Sequence, residues 1–335
     1  MKKIKVGING FGRIGRMTAR LILQSNDLEL VAINDTAELE SMAHLFKYDS
    51  IHGQWKGAIE VDYEKSVLRL NGKPIQYSRE KNPGDISWDR AGASIVVECT
   101  GLFKSASKVR PHLSESVKKV IVSAPPEDNS MPTVVLGVND EVIDSNLEII
   151  SNASCTTNNA APLLQLVDEL CEIESCYITT VHSFTGDQRL HDAPHKDLRR
   201  ARAATQSIVP TTTGAAKALT RVFPHLNEVI GGCGIRVPVP DGSLTDLTCS
   251  VKNTLSVAEI NEAFKEASNG RYRGIVEYTE DPVVSVDVLG NSHSCLFDAQ
   301  LTSVIGKMVK VVGWYDNEIG YSNRMVDLIR KFHNA

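Results

Sequence analysis

The sequence contains no long apolar run and no excess of basic residues, and each absence excludes a class of protein. No stretch of the 335 residues is apolar enough to span a bilayer, and the initial MKKIKVGING is interrupted by Lys5 and Gly7, so it lacks a signal-peptide core. Acidic residues outnumber basic residues by 41 to 36. This balance gives no reason to expect a nucleic acid or a membrane as a partner, and we expect a cytoplasmic protein.

Paired cysteines are absent as well. The seven cysteines form no C-x-x-C pair and no cluster with histidine, so we expect neither a disulfide framework nor a metal site. A reducing compartment would keep these residues as free thiols. Internal repeats and low-complexity tracts are also missing, and the chain length suggests two globular domains.

The first part of the chain, from Lys3 to about Ile150, has the order of a parallel α/β domain. Short β-branched runs alternate there with helical segments such as RMTARLILQ, and the runs are IKVGI, LELVAIN, SIVVECTG, KKVIVSAP and TVVLGVN. Such strands are typical of a parallel sheet that crossover helices bury on both faces.

The pattern changes after Asn152. A helical segment from about Cys155 to Leu170 precedes three longer strand-like runs, CYITTVHSF, LTDLTCSVK and CLFDAQLTSVIGKMVKVVGWY, whose spacing predicts a mixed or antiparallel sheet. The polar segment 187–214 has little regularity, which in a compact domain indicates a functional or interface segment. The predicted fold class is therefore α/β, with a parallel-sheet domain followed by an α+β domain.

A glycine-rich stretch, GINGFGRIGR, follows the first predicted strand and begins a helix. It places Gly10, Gly12 and Gly15 in G-x-G-x-x-G spacing, which permits a tight turn and brings backbone close to a pyrophosphate at the helix N-terminus. Asp35 ends the second predicted strand, 20 residues after Gly15. An acidic side chain there accepts hydrogen bonds from ribose and repels the 2′-phosphate of NADP. The sequence therefore predicts a Rossmann-type domain that binds NAD.

A second stretch, SNASCTTNNAAP, places Cys155 among polar residues. A reactive cysteine needs such surroundings, and a position at the start of a helix exposes its sulfur to free N–H groups that lower the thiol pKa. His182 ends the apolar strand YITTV and is the candidate base. A purely structural role for Cys155 stays open at this point, because the chain has six further cysteines.

The two features together indicate oxidation of an aldehyde. Attack by sulfur on the aldehyde carbon creates a tetrahedral oxyanion from which hydride leaves readily to a nicotinamide, and the product is a thioester.

Six motifs, NGFGRIGR, SNASCTTN, HSFTGDQ, LRRARAA, VPTTTGAAKA and WYDNEIGYSNR, closely resemble those of phosphorylating glyceraldehyde-3-phosphate dehydrogenase. The resemblance spans essentially the whole chain. It implies a homotetramer that converts glyceraldehyde 3-phosphate, NAD and inorganic phosphate to 1,3-bisphosphoglycerate in glycolysis and gluconeogenesis. It also implies an NAD-binding domain of residues 1–153, completed by a C-terminal helix over 317–335, and a catalytic domain of residues 154–316.

The resemblance assigns site residues by motif. Cys155 is similar to the nucleophile, and His182 to the base that then helps to hold the oxyanion beside the backbone N–H of Cys155. Arg199 and Arg202 remain alternatives to Arg200. The residues that match the two phosphate pockets are Ser154, Thr156, Thr185, Arg200, Thr213, Gly214 and Arg236.

The cofactor residues are assigned in the same way. Asn317 is similar to the side chain that fixes the nicotinamide carboxamide. The residues that match the family's NAD contacts are Gly10, Gly12, Arg13, Ile14, Gly15, Asp35, Arg79, Ser123 and Asn317.

Two positions depart from the family pattern. Asn159 stands where a second cysteine usually follows the nucleophile, and Ile319 stands where tryptophan is usual. The first departure predicts altered behaviour on oxidation, and the second altered local packing.

The rival interpretations are a dehydrogenase of erythrose 4-phosphate or of another phosphorylated aldehyde, and an NAD-responsive binding protein without turnover.

Overall fold

The computed structural model describes residues 3–335, and contacts divide the chain into two units. The first unit comprises the chain up to Val134, Glu141–Ala153 and Ser322–Ala335, and the second comprises Val135–Asp140 and Ser154–Tyr321. No helix within residues 3–335 has the length and apolarity needed to cross a membrane.

Within residues 3–335, the first unit contains eight strands and four helices ahead of the final helix of the chain, most of which it also contains. Its strands are β1 (Ile4–Asn9), β2 (Leu28–Asn34), β3 (Ile59–Asp62), β4 (Val67–Leu70), β5 (Lys73–Ser78), β6 (Ile95–Glu98), β7 (Lys119–Val122) and β8 (Ile149–Ser151). Its helices are α1 (Arg13–Gln24), α2 (Leu39–Lys47), α3 (Trp88–Ala91) and α4 (Ala106–Val109), and short 3-10 turns lie at Pro83–Asp85, Arg110–His112 and Asp140–Val142.

These strands form one sheet in the order β3-β4-β5-β2-β1-β6-β7-β8. From β5 to β8 all neighbours are parallel, and β3 and β4 add an antiparallel edge. All four residues of β6 are buried, as expected for a strand covered on both faces. The strand order reverses between β1 and β6, and sheets of this kind bind ligands beyond the carboxyl ends of the strands at that point.

The predicted strand TVVLGVN is wrong. In the structure only Thr133 makes a bridge, to Ser151, and the chain then turns. The amide N–H groups of Val138 and Asn139 donate to the carbonyl of Val135, and the Asn139 side chain accepts from the N–H of Val135. An asparagine that bonds its own preceding turn stops the strand, although the residues before it are β-branched.

The second unit also contains eight strands. They are β9 (Ile173–Ser183), β10 (Val209–Thr211), β11 (Ile230–Val237), β12 (Ser243–Val251), β13 (Val276–Thr279), β14 (Cys295–Asp298), β15 (Ser303–Ile305) and β16 (Met308–Tyr315). The helices that follow on from the first four are α5 (Cys155–Cys171), α6 (Ala215–Val222), α7 (Val257–Asn269) and α8 (Ile319–Asn334), with 3-10 turns at Pro224–Leu226, Ser285–Val288 and Ala299–Leu301.

The second sheet has the order β10-β11-β9-β12-β16-β14-β13, and β15 pairs with β16. The pairs β11–β9 and β13–β14 are parallel, while the other neighbours are antiparallel. Buried and partly exposed residues alternate along β12, so one face of the sheet is covered. The parallel first sheet and this mixed second sheet confirm the predicted fold class.

The C-terminal helix α8 begins at Ile319, and its residues from Ser322 onwards belong to the first unit. Arg330 holds Asp27 with two N–H···O bonds of 2.8 and 3.1 Å. The ammonium group of Lys119 lies 4.5 Å from the centre of the Phe332 ring. These contacts attach the end of the chain to the turn before β2 and to β7.

Candidate active site

Helix α5 begins at Cys155, which confirms the prediction that this cysteine opens a helix. Ser154 is the N-cap, and its hydroxyl oxygen accepts from the N–H of Thr157 at 3.1 Å. Ala153 has a φ of +54°, a left-handed conformation that costs a residue with a Cβ about 1–2 kcal/mol. The sharp turn and the cap together place the sulfur of Cys155 beside the first N–H groups of the helix.

Cys155 and His182, the predicted nucleophile and base, lie in contact. The Sγ atom of Cys155 lies 3.4 Å from Nε2 of His182, which is the penultimate residue of β9. Burial, followed by the charge of Arg236, lowers the pKa of His182 to about 3. The imidazole is therefore neutral near pH 7, as a general base must be.

The thiol itself differs from the expectation of a lowered pKa. Burial raises the pKa of Cys155, and this effect exceeds the opposing effects of the Arg236 charge and of hydrogen bonds from Thr156. The N–H groups at the helix start therefore act in the predicted direction but are outweighed by desolvation.

Arg236 contacts the far side of the histidine ring. Strand β11 runs parallel to β9 with Arg236 opposite His182, and one guanidinium nitrogen lies 2.7 Å from Nδ1 and 2.9 Å from the carbonyl oxygen of Ser183. Nδ1 is itself 2.8 Å from that carbonyl oxygen. Arg236 can donate to Nδ1 only when Nδ1 carries no proton. A proton on Nδ1 instead donates to Ser183 and leaves Nε2 free to accept the thiol proton.

Two of the predicted phosphate residues contact one carboxylate, Asp187, and a third lies beside one of these two. The hydroxyl of Thr185 donates to Asp187, and Arg200 contacts it at 2.6 Å. Arg236 lies 3.4 Å from the Thr185 hydroxyl. Burial acts to raise the pKa of Asp187, but the Thr185 bond and the charges of Arg236 and Arg200 lower it overall. Two cations and a hydroxyl around one carboxylate form a pocket suited to an anion.

The arginine alternatives differ in position. Arg200 reaches Asp187 and also donates to the hydroxyl of Thr211 at 3.0 Å. Arg202 instead pairs with Asp192 at 3.0 Å on an exposed surface. The side chain of Arg199 is exposed, and its backbone N–H donates to Asp197. Of the three, Arg200 is the one that joins the Thr185 cluster.

Thr156, Thr213 and Gly214 have different surroundings from one another. Thr156 is buried, and its hydroxyl lies 3.0 Å from the hydroxyl of Tyr315, which is also 3.0 Å from Thr180. Thr213 accepts from the N–H of Ala215 at 3.2 Å. Gly214 is the N-cap of α6, and a Cβ built on it would meet no atom within 4 Å, so its backbone is open to a ligand.

The glycine loop of the first unit has the space that a dinucleotide needs. Gly10 has a φ of +90°, and a Cβ there would lie 2.6 Å from the N atom of Thr100. A Cβ at Gly15 would lie 2.1 Å from the Gly10 carbonyl oxygen, whereas one at Gly12 would meet nothing within 4 Å. Gly12 is also the N-cap of α1 and offers no side chain to its first N–H groups. The open backbone at Gly12 and a helix N-terminus that begins without a capping side chain fit a pyrophosphate.

The remaining predicted cofactor residues of the first unit surround this loop. Asp35 accepts from the N–H of Phe11 at 2.7 Å, so its carboxylate holds the glycine loop. Arg13 pairs with Asp49 at 2.6 Å, and half-buried Ile14 follows it in the first turn of α1.

Arg79 and Ser123 lie on other segments of the same unit. Arg79 donates to the carbonyl of Thr36 at 3.1 Å and pairs with Glu38 at 2.6 Å. The N–H of Ser123 donates to the Glu98 carbonyl at 2.9 Å, where β7 ends.

Asn317 lies in the second unit with its side chain oriented by two serines. Its Oδ1 accepts from the hydroxyls of Ser183 at 2.8 Å and Ser243 at 2.7 Å. The N–H of Ser183 donates in turn to the Ser243 hydroxyl at 3.1 Å. Because both hydroxyls donate to Oδ1, the NH₂ group of the same amide points away from the two serines.

Four residues that contact the predicted site residues were not themselves predicted: Asp187, Tyr315, Ser183 and Ser243. Asp187 lies within the motif HSFTGDQ and Tyr315 within WYDNEIGYSNR, so the motifs offer both as partners for the site arginines and threonines. Ser243 begins β12 and carries no local signal, because its role depends on the pairing of strands distant in sequence.

Both parts of the chain match a known protein family. The family model "Glyceraldehyde 3-phosphate dehydrogenase, NAD binding domain" matches residues 4–106, and "Glyceraldehyde 3-phosphate dehydrogenase, C-terminal domain" matches residues 154–317. The chain is 50% identical over 329 residues to glyceraldehyde-3-phosphate dehydrogenase of Streptomyces coelicolor, with 97% of each chain covered. It is 48% identical over 327 residues to that of Priestia megaterium, again with 97% of each chain covered. The chain therefore belongs to the glyceraldehyde-3-phosphate dehydrogenase family of NAD-dependent oxidoreductases.

Proposed function

We propose that the chain oxidises glyceraldehyde 3-phosphate with NAD and inorganic phosphate to 1,3-bisphosphoglycerate and NADH, through a thioester on Cys155. The observation that carries the proposal is the 3.4 Å contact between the sulfur of Cys155 and Nε2 of His182, at a helix N-terminus beside an anion pocket. Family membership supports the reaction, and these contacts support the roles of the individual residues.

His182 removes the thiol proton as the sulfur attacks the aldehyde carbon. For this step Nε2 must be an acceptor, and the proton on Nδ1 is held by the carbonyl of Ser183 at 2.8 Å. An anion that draws the Arg236 guanidinium away from Nδ1 favours this tautomer. The resulting oxyanion lies within reach of the protonated Nε2 and of the backbone N–H of Cys155.

The arginines and hydroxyls supply two phosphate pockets. Arg200 and Thr185 already contact the carboxylate of Asp187, and Arg236 lies beside the Thr185 hydroxyl. A phosphate offers these three groups more acceptor oxygens than that carboxylate does. Gly214, at the N-terminus of α6, presents open backbone to the second anion. The full set that we assign to the two pockets is Ser154, Thr156, Thr185, Arg200, Thr213, Gly214 and Arg236.

Bound NAD would supply the hydride acceptor for this oxidation. The open backbone at Gly12 and the N-terminus of α1 would hold its pyrophosphate, and Asp35 its ribose. The NH₂ group of Asn317, turned by Ser183 and Ser243, would bond the carboxamide. Arg13, Ile14, Arg79 and Ser123 complete the cofactor set that we assign.

The two proposed functions of the chain, NAD binding and catalysis, belong to different parts of the sequence. We assign NAD binding to residues 1–153 together with the C-terminal helix over 317–335, and catalysis to residues 154–316. The two family models, over 4–106 and 154–317, support this division. We also propose a homotetramer in the cytoplasm, on the resemblance to the family.

The test is formation of NADH from glyceraldehyde 3-phosphate with and without inorganic phosphate. We expect turnover to depend on phosphate, because phosphate must attack the thioester. Turnover independent of phosphate would redirect the mechanism to hydrolysis. A higher kcat/KM with erythrose 4-phosphate than with glyceraldehyde 3-phosphate would favour the rival substrate.

A further inference from the structure

Two cysteines of the second unit lie opposite each other on neighbouring strands. Cys176 is in β9 and Cys249 is in β12, and the antiparallel register pairs these two residues directly. Neither has a role in the proposed reaction. His182 lies six residues further along β9, roughly 20 Å away at about 3.3 Å per residue.

The hydrogen-bonding pattern shows which kind of cross-strand pair this is. The N–H of Cys176 donates to the carbonyl of Val229, at the β11 side of the strand. Since the N–H and C=O of one strand residue point to the same edge, Cys176 directs neither group towards β12, on its other side. Cys176 and Cys249 are therefore a non-hydrogen-bonded pair, in which Cα atoms are about 4.5 Å apart and side chains are closest. Disulfides need Cα separations of about 4.4–6.8 Å.

The side chains also meet on the same face of the sheet. Cys176 and Cys249 are 4% and 1% exposed, and both are free thiols. A hydrogen bond with Cys176, followed by burial, raises the pKa of Cys249. The two sulfurs are therefore in contact, so that one can attack the oxidised form of the other.

We propose that Cys176 and Cys249 form an oxidisable dithiol that a small peroxide converts to a cross-strand disulfide. The Cys176 sulfur attacks one oxygen of hydrogen peroxide, so that an S–O bond forms as the O–O bond breaks, and the departing oxygen leaves as the first water with the proton of the Cys176 thiol. Cys249 then attacks the resulting sulfenic sulfur. The S–S bond forms, the S–O bond breaks, and the second water takes the proton of Cys249. Two thiols lose two hydrogens in all, and one peroxide is reduced to two waters.

Access sets the rate of this reaction. Both cysteines line a surface cleft with Tyr177 and Met308, but their side chains are almost fully covered. We therefore expect the disulfide to form more slowly than oxidation of half-buried Cys155.

The experiment uses the full-length Cys155→Ser variant, which removes the catalytic thiol. The folded protein is treated with hydrogen peroxide, its remaining thiols are alkylated in denaturant, and peptides are mapped by mass spectrometry without reduction. We expect a linked peptide pair joining Cys176 to Cys249 that lacks two hydrogens and is separated by reductant. A Cys171→Ser change in the same background is the matched control, because Cys171 is a neighbouring buried thiol that should not be needed.

A second measurement does not depend on the linked peptides. In the Cys155→Ser, Cys249→Ser double variant, peroxide should leave a sulfenic acid on Cys176 that dimedone labels. In the Cys155→Ser variant, where Cys249 can form the disulfide, dimedone labelling of Cys176 should be at least tenfold weaker. The proposal is overturned if Cys176 and Cys249 are both alkylated after oxidation, if either is linked to Cys171 instead, or if the link forms only after unfolding in urea.

Discussion

Replacement of Asp35 should change the choice of cofactor, and the structure indicates by how much. The two carboxylate oxygens accept from the N–H groups of Phe11 at 2.7 Å and Ala37 at 2.9 Å. Phe11 lies between two glycines of the loop, so Asp35 has a structural contact as well as its proposed contact with ribose. A useful perturbation must separate these two roles.

Asp35→Asn retains the shape of the side chain and removes its charge; its one remaining acceptor oxygen can hold the N–H of Phe11 in the loop, while its NH₂ group cannot accept from the N–H of Ala37. A hydrogen bond to a charged group contributes about 1 kcal/mol more to the binding free energy than a hydrogen bond to a neutral group. The affinity of the Asp35→Asn variant for NAD should therefore fall about fivefold. Two unit charges 4 Å apart repel by about 4 kcal/mol near a protein surface and by about 1 kcal/mol in water. Because Asp35 is half-buried, loss of this repulsion should improve NADP affinity by about ten- to a hundredfold. Asp35→Gly removes both acceptors, so it should lose more NAD affinity than Asp35→Asn while still gaining in relative use of NADP.

The assay is calorimetric titration of NAD and of NADP into the wild type and both variants. Glu40→Gln is the matched control, because it removes one negative charge from an exposed position in the first turn of α2. Its two dissociation constants should change less than twofold. Equal affinity of the wild type for both cofactors, or an equal loss of both in Asp35→Asn, would refute the repulsion and leave only the contact with the loop.

Three further predictions concern the reacting thiol. Cys155→Ser should abolish oxidation and leave NAD binding measurable by titration, and substantial turnover by this variant would end the thioester mechanism. His182→Asn should lower kcat by about 10² to 10⁴, because the attacking thiol loses the base that accepts its proton. A kcat equal to that of the wild type would mean that His182 is not this base. Asn159→Cys should recover more activity with reductant after peroxide treatment than the wild type, because a thiol one helical turn from Cys155 can resolve its sulfenic acid. Equal recovery, or a wild-type disulfide from Cys155 to another cysteine, would contradict this.

The features that could be predicted from the sequence are those encoded by neighbouring residues. The glycine spacing required a turn between a strand and a helix, and Cys155 required a polar helix start; both are present. The strand prediction for TVVLGVN was wrong because it rested on the β-branched residues, which are typical of strands. The Asn139 side chain accepts from the N–H of Val135 and stabilises a turn instead.

Partnerships between distant segments could not be predicted. Asn159 illustrates this, because its NH₂ group donates to the carbonyls of Ser294 and Trp314 at 3.3 and 3.2 Å. These bonds join α5 to the chain just before β14 and to β16, which lie more than 130 residues later in the sequence. Asn159, which stands where the family usually has a second cysteine, therefore also connects α5 to the second sheet.

The thiol pKa is the clearest case in which local reasoning gives the wrong sign. Burial raises the pKa of Cys155 and lowers that of His182, so both are neutral near pH 7 in the free chain. Moving the proton from Sγ to Nε2 would create two charges in a site whose burial disfavours each of them. Attack on an aldehyde transfers the negative charge from sulfur to oxygen, where the Nε2 proton and the Cys155 N–H can bond it. Proton transfer is therefore driven by the substrate. Because Cys155 stays protonated without substrate, it should react with peroxide more slowly than a thiolate would.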